Sequence, residues 1–149
     1  MDEKNPRFAA ELLPRLLPSL SAVLEGESGL RWAYLFGSAA RGQAFSDLDV
    51  AVMPAANAFT SLTDAGRLGA ELSSRLGIEG LAVDVVDLRS CSLPFLGTML
   101  DEAVVVLDRE PVSRRFWEVA ETLRWLDFKP VWEMSERLIR QRLREEQYH

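Results

Sequence analysis

Cysteine and histidine are almost missing from these 149 residues, with one of each, Cys91 and His149. A single cysteine excludes an internal disulfide, and zinc sites built from Cys and His have no ligands to use. One histidine at the chain end leaves no imidazole for a Ser-His-Asp or Cys-His hydrolase. With no histidine near it in sequence, Cys91 reads as a packed or loop thiol rather than a nucleophile. No apolar run approaches the roughly 20 residues of a membrane span. Met1-Asp2-Glu3-Lys4 lacks the basic-then-apolar layout of a signal peptide, so the expectation is a cytoplasmic protein that does not engage a membrane. Basic residues are the minority, 17 Lys and Arg against 23 Asp and Glu, for a formal net charge of −6. Coating nucleic acid rests on neutralising phosphates with Lys and Arg, so direct nucleic-acid binding is not expected.

What is present is an ordinary globular composition, 48% hydrophobic and 27% charged. The length is that of one domain, 1–149, large enough for a real core. The charge is uneven. Residues 1–110 carry 16 acidic and 9 basic side chains, a net −7, whereas residues 111–149 carry 7 and 8, a net +1. Arg137, Arg140, Arg142 and Arg144 crowd that basic end. Glu133–Arg137 and Glu136–Arg140 stand at helical spacing, as on a solvated helix face.

Hydrophobic periodicity divides the chain. Phe8 through Leu24 is apolar at helical spacing but carries Pro14 and Pro18, which predicts a broken helix, or two short ones, ending at Gly26. Leu30–Phe36 reads as a strand, followed by a glycine-bearing turn, and Leu48–Met53 as a second strand stopped by Pro54. Ser61 and Asp64 form a capping signature before a helical stripe that ends at Gly77. Leu81–Leu88 is a valine-rich strand. Ser92 and Pro94 open a short helix to Glu102, and Val104–Leu107 is a fourth strand. Two helices follow, divided at Pro130, in which Trp117, Trp125 and Trp132 read as core or partner-interface residues. The order α-β-β-α-β-α-β-α-α, with two strands joined by a short loop, predicts an α/β (α+β) fold. Helices flank a mixed sheet, the core lies at about 30–108 and a C-terminal helical segment at about 111–146.

The chemistry concentrates in Gly37-Ser38-Ala39-Ala40-Arg41-Gly42-Gln43-Ala44-Phe45-Ser46-Asp47-Leu48-Asp49. Asp47 and Asp49, two apart on a strand, project from one face. Carboxylates so close repel unless a cation sits between them or one keeps its proton. Mg²⁺ takes one or two carboxylates together with phosphate oxygens, so this pair can hold a Mg²⁺–nucleoside triphosphate. A third carboxylate would complete a two-metal site. Asp84, in mid-strand between Val83 and Val85, is favoured on pleat geometry over Asp87 at the strand end, which reads as a solvated or turn-forming residue. Gly37 lets backbone approach a phosphate, and Ser38 adds a hydroxyl and an amide. Arg41 could contact a phosphate or hold an acidic side chain.

Gly37-Ser38, Arg41-Gly42, Ser46-Asp47-Leu48-Asp49 and Val83-Asp84-Val85 together resemble the signature of the polymerase-beta-like nucleotidyltransferase superfamily. The small size is similar to its minimal nucleotidyltransferase (MNT) members, and with Leu126-Asp127-Phe128-Lys129-Pro130 the likeness runs over roughly residues 30 to 140. The resemblance implies the mixed-sheet nucleotidyltransferase fold and two Mg²⁺ ions on Asp47, Asp49 and Asp84. It implies that Gly37 and Ser38 hold the triphosphate of ATP, with Arg41 and Ser46 as further nucleotide contacts. It also implies an antitoxin paired with a HEPN-domain ribonuclease toxin in a hetero-oligomer, AMP being transferred to a toxin tyrosine. Two other readings stand beside it: a binding module that neutralises the toxin by complex formation alone, and a small-molecule nucleotidyltransferase of the aminoglycoside-modifying type.

Overall fold

The computed structural model describes residues 7–59 and 63–148. Ser61, the expected capping residue, and His149 lie outside them. A 3₁₀ turn, Ala10–Leu12, leads into α1 (Leu13–Glu25). Then follow β1 (Leu30–Phe36), α2 (Gly37–Ala40), β2 (Asp47–Pro54), α3 (Asp64–Leu76), β3 (Ala82–Asp87), α4 (Leu93–Glu102), β4 (Val104–Asp108) and α5 (Pro111–Gln147).

The strands form one mixed sheet in the order β3-β2-β1-β4. β1 runs antiparallel to β2, which follows it after a short connection, and also to β4. β2 and β3 are parallel, with α3 as the crossover between them. Alternate residues of each strand feed two apolar layers. Leu35, Val50 and Val83 meet Leu20, Leu24, Leu68 and Leu72 of α1 and α3 on one face. Trp32, Tyr34, Ala51 and Met53 meet Leu96 and Met99 of α4 and Trp117 of α5 on the other.

Two expectations about proline are corrected. α1 is continuous, with Pro14 in its first turn and Pro18 inside it. Pro18 is exposed, so the carbonyl that loses its amide partner faces water. Leu16, Leu20 and Leu24 are buried on the opposite side, each worth about 1.5–3 kcal/mol. Together they outweigh the roughly 3 kcal/mol that an internal proline costs. Likewise α5 is one helix of 37 residues that passes through Pro130, not two helices divided there. Pro130 is exposed, and Trp125 and Trp132 on either side of it pack edge to face, ring centroids 5.5 Å apart.

The other boundaries agree with the sequence pattern. Gly77 ends α3 with φ +64°, and the Ser92 hydroxyl caps α4 by accepting the Phe95 amide at 3.3 Å. Glu136 pairs with Arg140 at 3.9 Å, whereas Glu133 lies by Lys129 at 4.0 Å rather than by Arg137. Asp87 caps the turn after β3, accepting the Arg89 amide at 2.9 Å and pairing with its guanidinium at 2.8 Å. That is the turn-forming role expected of it. Cys91 is half-buried, its thiol donating to the Asp87 carbonyl at 3.3 Å, and burial raises its pKa.

Candidate active site

The register of the parallel pair sets the site. Asp49 stands directly beside Asp84, and on its other side Asp49 pairs with Phe36, the last residue of β1. In β2 the even residues Leu48, Val50 and Val52 enter one layer and the odd residues Ala51 and Met53 the other. Asp47 and Asp49 therefore share the odd face, and Asp84 lies on that same face because Val83 and Val85 point the opposite way. Asp87, three residues on, does not. The structure thus brings together the three carboxylates singled out from sequence.

The turn between β1 and β2 closes over this face. Gly37 has φ +80°, and a side chain there would overlap the Asp49 carboxylate. The single helical turn α2 begins at Gly37 and carries Ser38. Arg41 leaves that turn to pair with Glu102 at the end of α4, Nη1 lying 2.8 and 3.0 Å from the two carboxylate oxygens. Its Nη2 is 3.5 Å from Ser38 Oγ. Of the two roles open for Arg41, holding an acidic side chain is the one seen.

Ser38, Ser46, Asp47 and Asp49, with Gln43, Ala44 and Phe45, line a cleft of about 470 Å³. Sequence reasoning overlooked the contribution of Phe45. It is buried and stacks on Phe8 at 5.8 Å, while the two residues exchange backbone hydrogen bonds of 2.9 and 3.0 Å. The chain before α1 thereby pins the loop that ends in Ser46. An aromatic residue inside an otherwise polar loop was the available signal. Other hollows, such as that among Leu138, Ile139, Gln141, Arg142 and Glu145, lie between side chains of α5 alone and bring no separate element together.

Electrostatics mark Asp49. Burial, then the Asp84 and Asp47 charges, push its pKa up to about 6. Among the described residues no three Asp, Glu, His or Cys side chains already form a metal-holding cluster. The donor set nevertheless suits Mg²⁺, a hard cation satisfied by one or two carboxylates, phosphate oxygens and water. The mutual repulsion registered at Asp49 is what such a cation would relieve.

A mixed sheet with a glycine turn over a strand-borne Asp-x-Asp pair, and a third aspartate on the neighbouring parallel strand, defines a phosphoryl- or nucleotidyl-transfer enzyme. The comparisons with known proteins narrow the class. Residues 19–112 match the family model for the polymerase beta nucleotidyltransferases, and the chain belongs to that family. A search of curated proteins finds no match. Among solved structures the chain is similar to a complex of a tri-AMPylated Shewanella oneidensis HEPN toxin with its MNT antitoxin, at TM-score 0.63 and 19% identity over 88% of this chain and 98% of that one. It is similar to a toxin–antitoxin structure with AMP-PNP, at TM-score 0.64 and 21% identity over 85% and 97%. A third likeness is to a minimal nucleotidyltransferase, at TM-score 0.51 and 27% identity over 67% and 98%. Among the described residues no helix is long and apolar enough to cross a membrane.

Proposed function

We propose that this chain is an antitoxin that transfers AMP from ATP to a tyrosine hydroxyl of a HEPN-domain toxin, using Mg²⁺. The observation that carries the reading is the adjacency of Asp49 and Asp84 on one sheet face, with Asp47 two residues from Asp49 and the Gly37–Ser38 turn over them. The toxin and AMP parts rest on the likeness to structures of an AMPylated toxin with its MNT antitoxin and of a toxin–antitoxin pair with AMP-PNP.

Asp47 and Asp49 would hold the divalent cation, with Asp84 beside them. When bound, it supplies positive charge at the phosphate oxygens. The triphosphate lies in the cleft against Ser38 and Ser46. Gly37 leaves space for the Asp49 carboxylate, and the first amides of a helical turn have no partner within that turn and so are available to phosphate oxygen. Arg41, tied to Glu102, fixes the Ser38 turn against α4. Asp84, exposed beside Asp49 on the neighbouring strand, would accept the proton of the incoming hydroxyl. The acceptor oxygen bonds to the α-phosphorus, the bond to the bridging oxygen breaks, and pyrophosphate leaves.

The test is coexpression with a HEPN-domain protein, followed by intact-mass spectrometry of that protein and transfer from α-labelled ATP. Mass increments of AMP that vanish with Asp47→Ala and Asp49→Ala are the expected result. Labelling retained in both variants refutes the assignment. Neutralisation without any mass change supports the binding-module reading instead.

A further inference from the structure

The exposed part of the turn between Gly37 and Ser46 is tied down from outside the turn. Arg41 through Ala44 are all exposed, and the backbone amides of Arg41, Gly42 and Gln43 donate to Gly37, Ala39 and Ser38 within the turn itself. The bond from Arg41 to Glu102 instead spans 61 residues and reaches the last residue of α4. Glu102 is the more sheltered member, its side chain 27% exposed against 42% for Arg41. The end of α4 also carries the partial negative charge of a helix C-terminus, which favours a cation there.

We propose that Glu102 is a positioning residue for the nucleotide and acts through Arg41. Both Glu102 oxygens take Nη1 of the guanidinium and leave its other nitrogens to the turn. Nη2 and Nε lie 3.5 Å from Ser38 Oγ and Gln43 Oε1, at the far limit of hydrogen bonding. Ser38 and Gln43 both line the cleft. The two weakly held donors thus stand on the cleft side, where a phosphate oxygen can replace those contacts with shorter, charge-assisted ones. Asp49 registers the same arrangement. Its pKa is raised most by burial and by Asp84 and Asp47, but Arg41 lowers it more than Glu102 raises it. The guanidinium is therefore the member of the pair nearer the carboxylates.

The pair adds no net charge for a triphosphate, so its effect is one of placement. An unrestrained arginine surrenders its rotamer freedom when it meets a ligand, whereas Glu102 restricts Arg41 before the nucleotide arrives. Without Glu102 the guanidinium is left to solvent on an exposed turn, and that turn loses its tie to α4. The consequence is weaker nucleotide binding and a looser turn, both carried through Arg41. A carboxylate that served the cation directly would act whether or not Arg41 were present. The role of Glu102 rests on the nucleotide reading of the cleft.

The test is calorimetric titration of the full chain with AMP-PNP in the presence of Mg²⁺, beside amide exchange over residues 37–46 without nucleotide. The variants are Glu102→Ala, Glu102→Gln, Arg41→Ala and the double variant Arg41→Ala/Glu102→Ala, with circular dichroism to show that each is folded. Glu102→Ala is expected to weaken binding about three- to tenfold, the scale of ordering one rotamer-rich side chain, and to speed exchange in the turn. Glu102→Gln, which keeps an oxygen for Nη1, recovers part of the loss. The double variant binds no more weakly than Arg41→Ala alone. Glu102→Ala binding that equals or exceeds that of a wild type that binds AMP-PNP overturns the role of Glu102 and leaves the nucleotide reading standing. So does a loss that persists in the Arg41→Ala background, which makes Glu102 act directly on the cation or on the fold. A wild type that binds no AMP-PNP overturns the nucleotide reading of the cleft and the role of Glu102 with it.

Discussion

Gly37 and Asp49 pack so closely that a Cβ on residue 37 would overlap the Asp49 carboxylate, whose Cγ lies only 3.2 Å from that point. The same residue has φ +80°, where L side chains are strained. Gly37→Ala is therefore expected to cost about 1–3 kcal/mol of stability. It should also reduce nucleotide transfer far more than the loss of folded protein explains, because the displaced carboxylate is the one facing Asp84. Urea unfolding beside a transfer assay measures both effects.

Asp49 is held above its ordinary pKa of 3.8, up to about 6, by burial and by the neighbouring carboxylates. An acid that binds its proton more tightly when folded favours the folded state below pH 4, and this contribution is lost as pH rises through 6. Asp49→Asn is thus expected to stabilise the protein in EDTA at pH 7 by about 1 kcal/mol, after allowance for partial exposure. The gain should shrink toward zero near pH 4. Thermal melts at the two pH values check it, and a gain that persists at pH 4 contradicts the electrostatic origin. The same variant should abolish transfer.

Gly97 and Trp125 form the seam between α4 and α5. An alanine at 97 would overlap the indole ring. Overpacking of this kind costs about 1–3 kcal/mol, whereas Trp125→Ala removes the ring and costs about 3–5 kcal/mol. The double variant should be less damaging than the sum of the two, since the three atoms nearest the added methyl all belong to the ring that is gone. A double-mutant cycle by chemical denaturation measures that coupling.

Pro130 interrupts the amide ladder of α5 without ending the helix. Pro130→Ala restores one donor and removes a ring clash. Most side chains beyond Trp132 are exposed, so the gain appears locally. Amide exchange over residues 131–147 should slow about tenfold or more, while the midpoint of global unfolding changes little. Exchange mass spectrometry separates the two effects.

Much of the structure was legible in local pattern. The glycine-serine turn follows turn chemistry, whereas the strand-borne Asp47 and Asp49 and an aspartate lodged between two valines break strand propensity. Breaks of that kind are expected where chemistry requires them. The ends of α3 and α4 follow from Gly77, Ser92 and Pro94, whose effects are confined to one turn. The two prolines inside helices misled for the opposite reason. Pro18 and Pro130 carry a fixed local penalty, but leucines and tryptophans on the far side of each helix decide the outcome, and a linear pattern does not say how deeply those side chains are buried.

The sequence by itself determined the candidates for the chemistry, Asp47, Asp49 and Asp84 with Gly37, Ser38, Arg41 and Ser46, in a chain with a single histidine and a single cysteine. The tertiary structure alone decided that Asp49 lies beside Asp84 rather than one residue out of step, that Arg41 is held by Glu102, and that Phe8 pins the Phe45 loop. It also decided which side of α5 the body covers and which stays bare. Those are pairings between residues far apart in the chain, set by strand register and by competition for one buried surface. Both depend on every element packing at once.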